Sequence, residues 1–237
     1  MIWNPWHGCH KLSAGCANCY MYRRDAEFGK DSSVVEQTAS FRLPLKKKRS
    51  GAYQLTGSEP VYTCMTSDFF VEEADCWRGA AWEMIRQRSD LHFVIITKRI
   101  ARFRVSLPDD WGSGWDHVTI CATCENQQAA DERLPILLSL PLRHRRVIHE
   151  PMLGGIHTEE YLKSGLIEHV SCGGESGEGA RLCRYEWVLS VREQCRRCGV
   201  PFQFRQTGAL FEKDGKIYRI PRRLQLSQAE KAGIDLG

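Results

Sequence analysis

Three cysteines near the amino terminus combine a residue type and a spacing that suit metal chemistry. Six residues separate Cys9 from Cys16, and two separate Cys16 from Cys19. Thiolates are preferred ligands of zinc and of iron–sulfur clusters. A structural metal site fills every position with protein ligands, whereas a catalytic centre keeps one position open. Three thiolates therefore predict an iron–sulfur cluster with one iron atom free to bind a cofactor or substrate.

Two alternative hypotheses account for the same cysteines. The first is a zinc site completed by His7, His10 or another cysteine, and the second is a set of incidental buried thiols. Glycine and polar residues between the cysteines indicate a loop, which disfavours the second hypothesis. The total of eleven cysteines is odd and no export signal is apparent, which argues against a disulfide framework.

Two further cysteine pairs, Cys121 with Cys124 and Cys195 with Cys198, are separated by a long stretch of sequence. A joint four-cysteine zinc site or a second cluster is one hypothesis for them. Ordinary thiols are the default prediction, because one pair ends a predicted strand and the other ends a predicted helix.

The composition is that of an ordinary soluble globular protein, with 237 residues, 42% hydrophobic and 26% charged. No stretch approaches the roughly 20 apolar residues that span a bilayer, so we expect a cytoplasmic protein without a membrane partner. The net charge is only +4, but its carriers are clustered at 46–49, 98–104, 143–146 and 222–223. Several such clusters together favour contacts with nucleic-acid phosphates, although each one alone is more typical of a solvated loop.

Short apolar runs alternate with segments of helical periodicity along most of the chain. Strands are predicted at 61–65, 92–97, 117–121, 146–149, 169–172 and 201–204, and a short first strand around 2–6 would make the total six or seven. Helices are predicted at 17–28, 72–88, 126–140, 158–164 and 185–198. This alternation indicates parallel strands with helical crossovers. A closed or partly open β/α barrel is the favoured fold, and a doubly wound open sheet is the alternative.

Both folds bind ligands at the carboxyl ends of their strands. Polar residues and glycines follow nearly every predicted strand, and they form the candidate site: Ser67, Asp68, Thr97, Lys98, Thr123, Glu125, Glu150, Gly173, Gly174, Glu175 and Gln206. The glycines of the run at 173–179 would let backbone amides approach a phosphate or an adenosine, and an ordinary glycine-rich turn is the alternative.

No low-complexity linker divides the chain, so residues 1–237 are predicted to form one domain. Within it, residues 7–20 form the cysteine loop. Residues 29–60 lack regular periodicity and include a basic run, so we predict a surface excursion or a lid there.

Several segments occur in the order expected of one known family. They are WNPWHGC at 3–9, SAGCANCY at 13–20, SDFF at 67–70, ITKR at 96–99, HEPML at 149–153, GGESG at 173–177 and PFQFRQTG at 201–208. In these segments the chain resembles the phage-type three-cysteine-motif family of radical-SAM-like proteins. It departs from the wider radical SAM superfamily, which has three residues rather than six between the first two cysteines and usually an aromatic residue in place of Asn18.

The resemblance implies a partial TIM-type barrel with six or seven β/α units and a 4Fe-4S cluster on the three cysteines. The open iron of such a cluster binds S-adenosyl-L-methionine (SAM), and one electron then yields methionine and a 5'-deoxyadenosyl radical. The cofactor performs this chemistry while the protein positions and shields it.

The same resemblance implies roles for the strand-end residues. Ser67 and Asp68 would hold the methionine amino group, and Lys98 or Arg99 would pair with its carboxylate. Thr123 or Glu125 would bind the ribose hydroxyls. Thr97, Gly173 and Gly174 would also contact the cofactor. Glu150, Glu175 and Gln206 would face the substrate.

The expected substrate is a nucleobase or a group attached to it, in phage DNA hypermodification inside a bacterial or phage-infected cell. A mutase or isomerase fits, because radical migration needs few acid–base residues. A reductase or flavodoxin-type protein would donate the electron. Two other hypotheses stay open, a radical SAM enzyme acting on a peptide or small metabolite and a non-catalytic zinc module that binds nucleic acid.

Overall fold

The computed structural model describes residues 1–237, which form twelve strands and six α-helices. The strands are β1 (Ile2–Trp3), β2 (Trp6–His7), β3 (Glu36–Gln37), β4 (Val61–Thr63), β5 (Phe93–Thr97), β6 (Val118–Thr123), β7 (His144–His149), β8 (His169–Gly173), β9 (Cys183–Arg184), β10 (Phe202–Gln206), β11 (Leu210–Lys213) and β12 (Lys216–Arg219). The helices are α1 (Tyr20–Glu27), α2 (Asp75–Gln87), α3 (Gln127–Ser139), α4 (Glu159–Leu162), α5 (Tyr185–Cys198) and α6 (Gln225–Lys231).

One sheet contains the six strands predicted from the sequence pattern and the optional first strand, β1. Its hydrogen-bonding order is β1-β4-β5-β6-β7-β8-β10, and the pairings of β1 with β4, β4 with β5, β7 with β8 and β8 with β10 are parallel. The order follows the chain without reversal, whereas a doubly wound sheet reverses its order part-way. The parallel α/β prediction is therefore confirmed, and the doubly wound alternative is wrong.

The residues group into two compact units, neither of which is continuous in sequence. The first comprises Met1–Lys11, Arg24–Cys121 and Leu140–His144. The second comprises Leu12–Arg23, Ala122–Ser139 and Arg145–Gly237.

Aromatic side chains dominate the core of the first unit. Phe69 lies 5.1 Å from Trp6 and 4.9 Å from Trp82 between ring centroids, and Trp82 packs on Trp111 at 5.2 Å. The buried face of α2 supplies Arg78, Ala81, Trp82, Met84 and Ile85. These ring pairs, one edge-on and two tilted, fix the residues that follow β4.

Residues 29–60 are anchored in the first unit. Strand β3 pairs antiparallel with β2. The fully buried Arg88 guanidinium donates to the carbonyl oxygens of Pro44 and, at 2.7 Å, Leu55, and it lies 4.0 Å from the Tyr53 ring centroid. Asp90 neutralises Arg88 at 2.7 Å. One buried cation thus holds residues 44–55, a part of the segment predicted as an excursion or lid.

In the second unit, helices and the sheet enclose an apolar core. Helix α5 ends at Cys198, as predicted, because Gly199 adopts the left-handed conformation (φ 67°) that caps helices. Phe211 of β11 packs on Phe204 and Tyr185 at 5.8 and 5.9 Å. Several short elements were not predicted from the sequence, because none of them shows a sustained hydrophobic periodicity. They are the hairpin of β11 and β12, the short strands β2, β3 and β9, and helix α6.

None of the six helices has the length and apolar character needed to cross a membrane.

Candidate functional site

The loop that carries Cys9 is held by its backbone in the first unit. The Cys9 amide donates to the Ser32 carbonyl at 2.8 Å, and the Ser67 hydroxyl donates to the Gly8 carbonyl. Gly8 has a φ of 91°, and a Cβ there would collide with the Val34 carbonyl. Only glycine permits this approach. Ser67, predicted to bind cofactor, thus also supports the cysteine loop.

Asp25 connects the residues on both sides of this loop. Its Oδ2 accepts hydrogen bonds from the Ser32 hydroxyl at 2.6 Å and from His7 Nε2 at 2.9 Å. Burial alone would raise the pKa of Asp25, but these two neighbours lower it below its ordinary value. His10 Nε2 similarly lies 2.6 Å from Glu73 Oε1. Both histidines near Cys9 therefore have carboxylate partners, which is also how zinc-binding imidazoles are oriented.

Asp68 joins the ends of β4 and β5. Its carboxylate accepts hydrogen bonds from the Thr97 hydroxyl at 2.7 Å, the Lys98 amide at 2.9 Å and the Phe70 amide at 3.0 Å. The side chain of Lys98 is half-buried. The sequence analysis placed Asp68, Thr97 and Lys98 in one site, and the structure does bring these three residues together.

Arg99 places a buried positive charge beside Cys9. Its guanidinium donates to Cys9 Sγ at 3.5 Å and to the His10 carbonyl at 2.8 Å, and it lies 3.7 Å from Asp68. Burial alone would lower the pKa of Arg99, but the charges of Asp68, Cys9 and Glu72 raise it above its ordinary value. A cation beside a sulfur favours the thiolate, which is the metal-binding form.

Glu125 anchors the second part of the cysteine loop, within the second unit. Fully buried, it accepts a hydrogen bond from the Gly15 amide at 3.1 Å and pairs with Arg133 at 2.8 Å. Burial alone would raise the pKa of Glu125, but these donors help to hold it below its ordinary value. Arg133 also donates to the carbonyl of Thr123, which is itself 2% exposed. A Cβ at Gly15 would lie 2.9 Å from the Glu125 carboxyl carbon.

Glu175 anchors the same loop from another strand. It accepts hydrogen bonds from Asn18 Nδ2 at 3.0 Å and from the Arg181 amide and Nε, both at 2.9 Å. Arg181 also donates to the Ala14 carbonyl at 2.9 Å. Burial would raise the pKa of Glu175, but Arg181 and Asn18 lower it. Asn18, the departure from the superfamily pattern, thus has a defined partner.

The glycine-rich run at 173–179 packs against the cysteine loop and α1. Asn18 donates to the Gly179 carbonyl at 2.9 Å, and Arg23 donates to the carbonyls of Ser176 and Glu178 at 2.7 and 3.1 Å. A Cβ at Gly177 would collide with Arg23. Part of this run therefore turns its carbonyl groups towards side chains of the protein.

Glu150, Gly173 and Gln206 meet at the carboxyl ends of β7, β8 and β10. Gln206 Nε2 donates to Glu150 Oε1 at 2.5 Å and to the Gly174 carbonyl at 3.0 Å. A Cβ at Gly173 would lie 2.8 Å from the Glu150 carboxyl carbon. The exposed residue Arg222 donates to Gln206 Oε1 at 2.5 Å. A carboxylate, an amide and a guanidinium thus form one hydrogen-bonded row.

His149, at the end of β7, is fully buried. Its Nδ1 bonds the Cys124 carbonyl at 2.7 Å, whereas Nε2 is buried without a hydrogen-bond partner. Burial lowers the pKa of His149 to about 4, so the ring is neutral at physiological pH.

Exposure separates the three motif cysteines from most of the others. Cys9, Cys16 and Cys19 are partly exposed, and six cysteines elsewhere are buried. Burial raises the pKa of Cys64 and Cys172 well above the ordinary range and that of Cys183 and Cys195 to about 12. Those four thiols stay protonated at neutral pH and make poor metal ligands.

The second unit presents Cys16 at the end of a short 3-10 helix and Cys19 directly before α1. No group of three His, Cys, Asp or Glu side chains is arranged in the structure to hold a metal ion. The donor chemistry of three accessible sulfurs on anchored loops nevertheless fits a thiolate-bound cluster.

A family model, described as a protein of unknown function (DUF5131), matches residues 1–234. The chain belongs to the DUF5131 family. No curated protein and no solved structure matches the chain. The match covers every residue of the candidate site in this DUF5131 protein.

Sequence reasoning missed the positioning roles of Arg133 and Arg181 in this DUF5131 protein. Arg133 lies eight residues after Glu125, and Arg181 lies six residues after Glu175. Arginine is seldom buried without an anionic partner, but its choice of partner leaves no periodic signal. The basic run at 222–223 was noted, but its contact with Gln206 was not.

Proposed function

We propose that this DUF5131 protein is a radical SAM enzyme with a partial TIM-type barrel, in which Cys9, Cys16 and Cys19 hold a 4Fe-4S cluster. The observation that carries the proposal is that all three motif cysteines are accessible on anchored loops, whereas six of the eight other cysteines are buried and only Cys76 and Cys198 are not. The seven-strand order that follows the chain supports the barrel.

The chain's own residues hold and shield the reacting groups. Arg99 stabilises the Cys9 sulfur, while Glu125 and Glu175 fix the loop of Cys16 and Cys19. When bound, the cluster supplies the electron that cleaves SAM into methionine and a 5'-deoxyadenosyl radical. Polar groups at the strand ends orient SAM, and we assign this role to Ser67, Asp68, Thr97, Lys98, Thr123, Gly173 and Gly174.

The proposed substrate is a nucleobase or its attached group, and the proposed reaction is a modification or rearrangement in phage DNA. Glu150 and Gln206 form a polar pair suited to hold such a group. A reductase or flavodoxin-type protein would supply the electron.

The test is 5'-deoxyadenosine formation by anaerobically purified protein. The chain is reconstituted with iron and sulfide, reduced, and mixed with SAM. We expect product from the wild type and none from Cys16→Ala. Cys76→Ala is the matched control, because Cys76 is exposed but lies outside the motif, and it retains the activity.

A zinc-bearing nucleic-acid module is the second candidate, favoured by the carboxylate partners of His7 and His10. Metal analysis separates the two candidates. A colourless protein that contains zinc and forms no 5'-deoxyadenosine refutes the radical SAM proposal. The assigned substrate is refuted if a peptide or metabolite stimulates 5'-deoxyadenosine formation and nucleic acid does not.

A further inference from the structure

Strand β12 and the residues after it display side chains that the proposed chemistry does not use. All of Lys216–Arg219 is exposed, including 63% of Ile217 and 45% of Tyr218. In its three-stranded sheet, ordered β12-β11-β9, β12 pairs only with β11. One edge and much of the surface of β12 therefore remain open to a partner.

Positive charge dominates this region. Between residues 210 and 223, five cations face two anions. One of those anions, Glu212, is paired with Arg184 at 3.2 Å. The remaining excess of positive charge suits a polyanion.

Cations around an exposed aromatic ring suit single-stranded nucleic acid. Bases stack on aromatic rings while phosphates contact lysine and arginine. A duplex hides the faces of its bases, so the exposed ring of Tyr218 favours a single strand. A protein strand added to β12 is disfavoured, because lysines and a nearby proline, Pro221, are features that blunt sheet edges.

The basic region is continuous with the row of polar groups at the strand ends. Arg222 donates to Gln206, which donates to Glu150. A nucleic-acid strand bound along β12 would therefore approach the residues assigned to the substrate. An enzyme that acts on a base must receive it outside the duplex stack, which a single-stranded substrate satisfies.

We infer that the exposed basic surface around β12, here called the wing surface, binds single-stranded DNA and places one of its bases at the carboxyl ends of β7, β8 and β10. This surface consists of Lys213, Lys216 and Tyr218, which share one face of the β11–β12 hairpin, together with Arg222 and Arg223. The choice of DNA and the delivery of a base rest on the proposed function, whereas strand binding is a separate property of the wing surface.

Fluorescence anisotropy with a labelled DNA strand of about 20 nucleotides tests the inference. Tyr218→Ala weakens binding about ten-fold, because base stacking is lost, and Tyr218→Phe keeps the ring and the affinity. Joint replacement of the cross-strand partners Lys213 and Lys216 by alanine reduces the salt dependence of log K by roughly 0.7 for each lost phosphate contact. Arg196→Ala, which removes an exposed cation of α5, leaves binding unchanged.

Several results would overturn the inference: no binding of the strand, tighter binding of a duplex or of RNA of the same sequence, or equal affinity in wild type and Tyr218→Ala. Formation of 5'-deoxyadenosine without DNA is measured on the same preparations. Normal formation without strand binding refutes the wing surface alone. Strand binding without any 5'-deoxyadenosine refutes the proposed reaction alone.

Discussion

Glu125→Gln removes the negative charge that supports the loop of Cys16. The side chains of Glu125 and Arg133 are 1% and 7% exposed and pair at 2.8 Å. Removing one partner of a buried pair typically costs about 3–5 kcal/mol, because the other charge stays buried without compensation. We expect the free energy of unfolding to fall by about that amount, as measured by urea titration with far-UV circular dichroism.

Two further variants make this prediction specific. Glu132→Gln changes an exposed carboxylate of α3, the helix that carries Arg133, and is expected to cost less than about 0.5 kcal/mol. Adding Arg133→Met to Glu125→Gln removes the orphaned cation and restores part of the loss. A loss below about 1 kcal/mol for Glu125→Gln would show that water compensates Arg133 and would refute the reasoning.

Three other perturbations have defined outcomes. Under the proposed function, Gly8→Ala forces the Cys9 backbone away from Val34 and lowers the iron bound per chain after reconstitution. Gly29→Ala, at a positive φ with open space around it, leaves the iron content unchanged. Equal iron loss in both variants would contradict this prediction. His149 has a folded pKa of about 4 against an ordinary 6.5, so the unfolded chain takes up the proton first as pH falls. The contribution of neutral His149 to the free energy of unfolding is therefore complete above about pH 6.5 and declines by about 3 kcal/mol as the pH falls towards 4. A His149→Phe variant whose free energy of unfolding, measured by urea titration, keeps the same pH profile would disprove this prediction. Arg88→Met releases residues 44–55, and limited proteolysis should then cut there faster than in Arg86→Met, which changes an exposed arginine in the last turn of α2. Equal cutting rates would show that other contacts hold the segment.

Much of the fold followed from local sequence patterns. Apolar runs predicted six strands of the parallel sheet and left the short first strand open, and helical periodicity predicted α5 from Tyr185 to Cys198. These signals are readable because each comes from neighbouring residues that share one face. The spacing of Cys9, Cys16 and Cys19 was equally visible, since it needs no knowledge of the fold.

The tertiary structure alone decided how the cysteine loop is held. Gly15 and Glu125 are 110 residues apart, and Asn18 and Glu175 are 157 apart, yet each pair forms a hydrogen bond. Glu125 and Glu175 were predicted to contact cofactor and substrate, and their cofactor and substrate roles stay predictions, while the structure adds their contacts with the loop. Such contacts satisfy buried charges and amides. They depend on which strand ends the chain brings together, and no periodic pattern in the sequence encodes that choice.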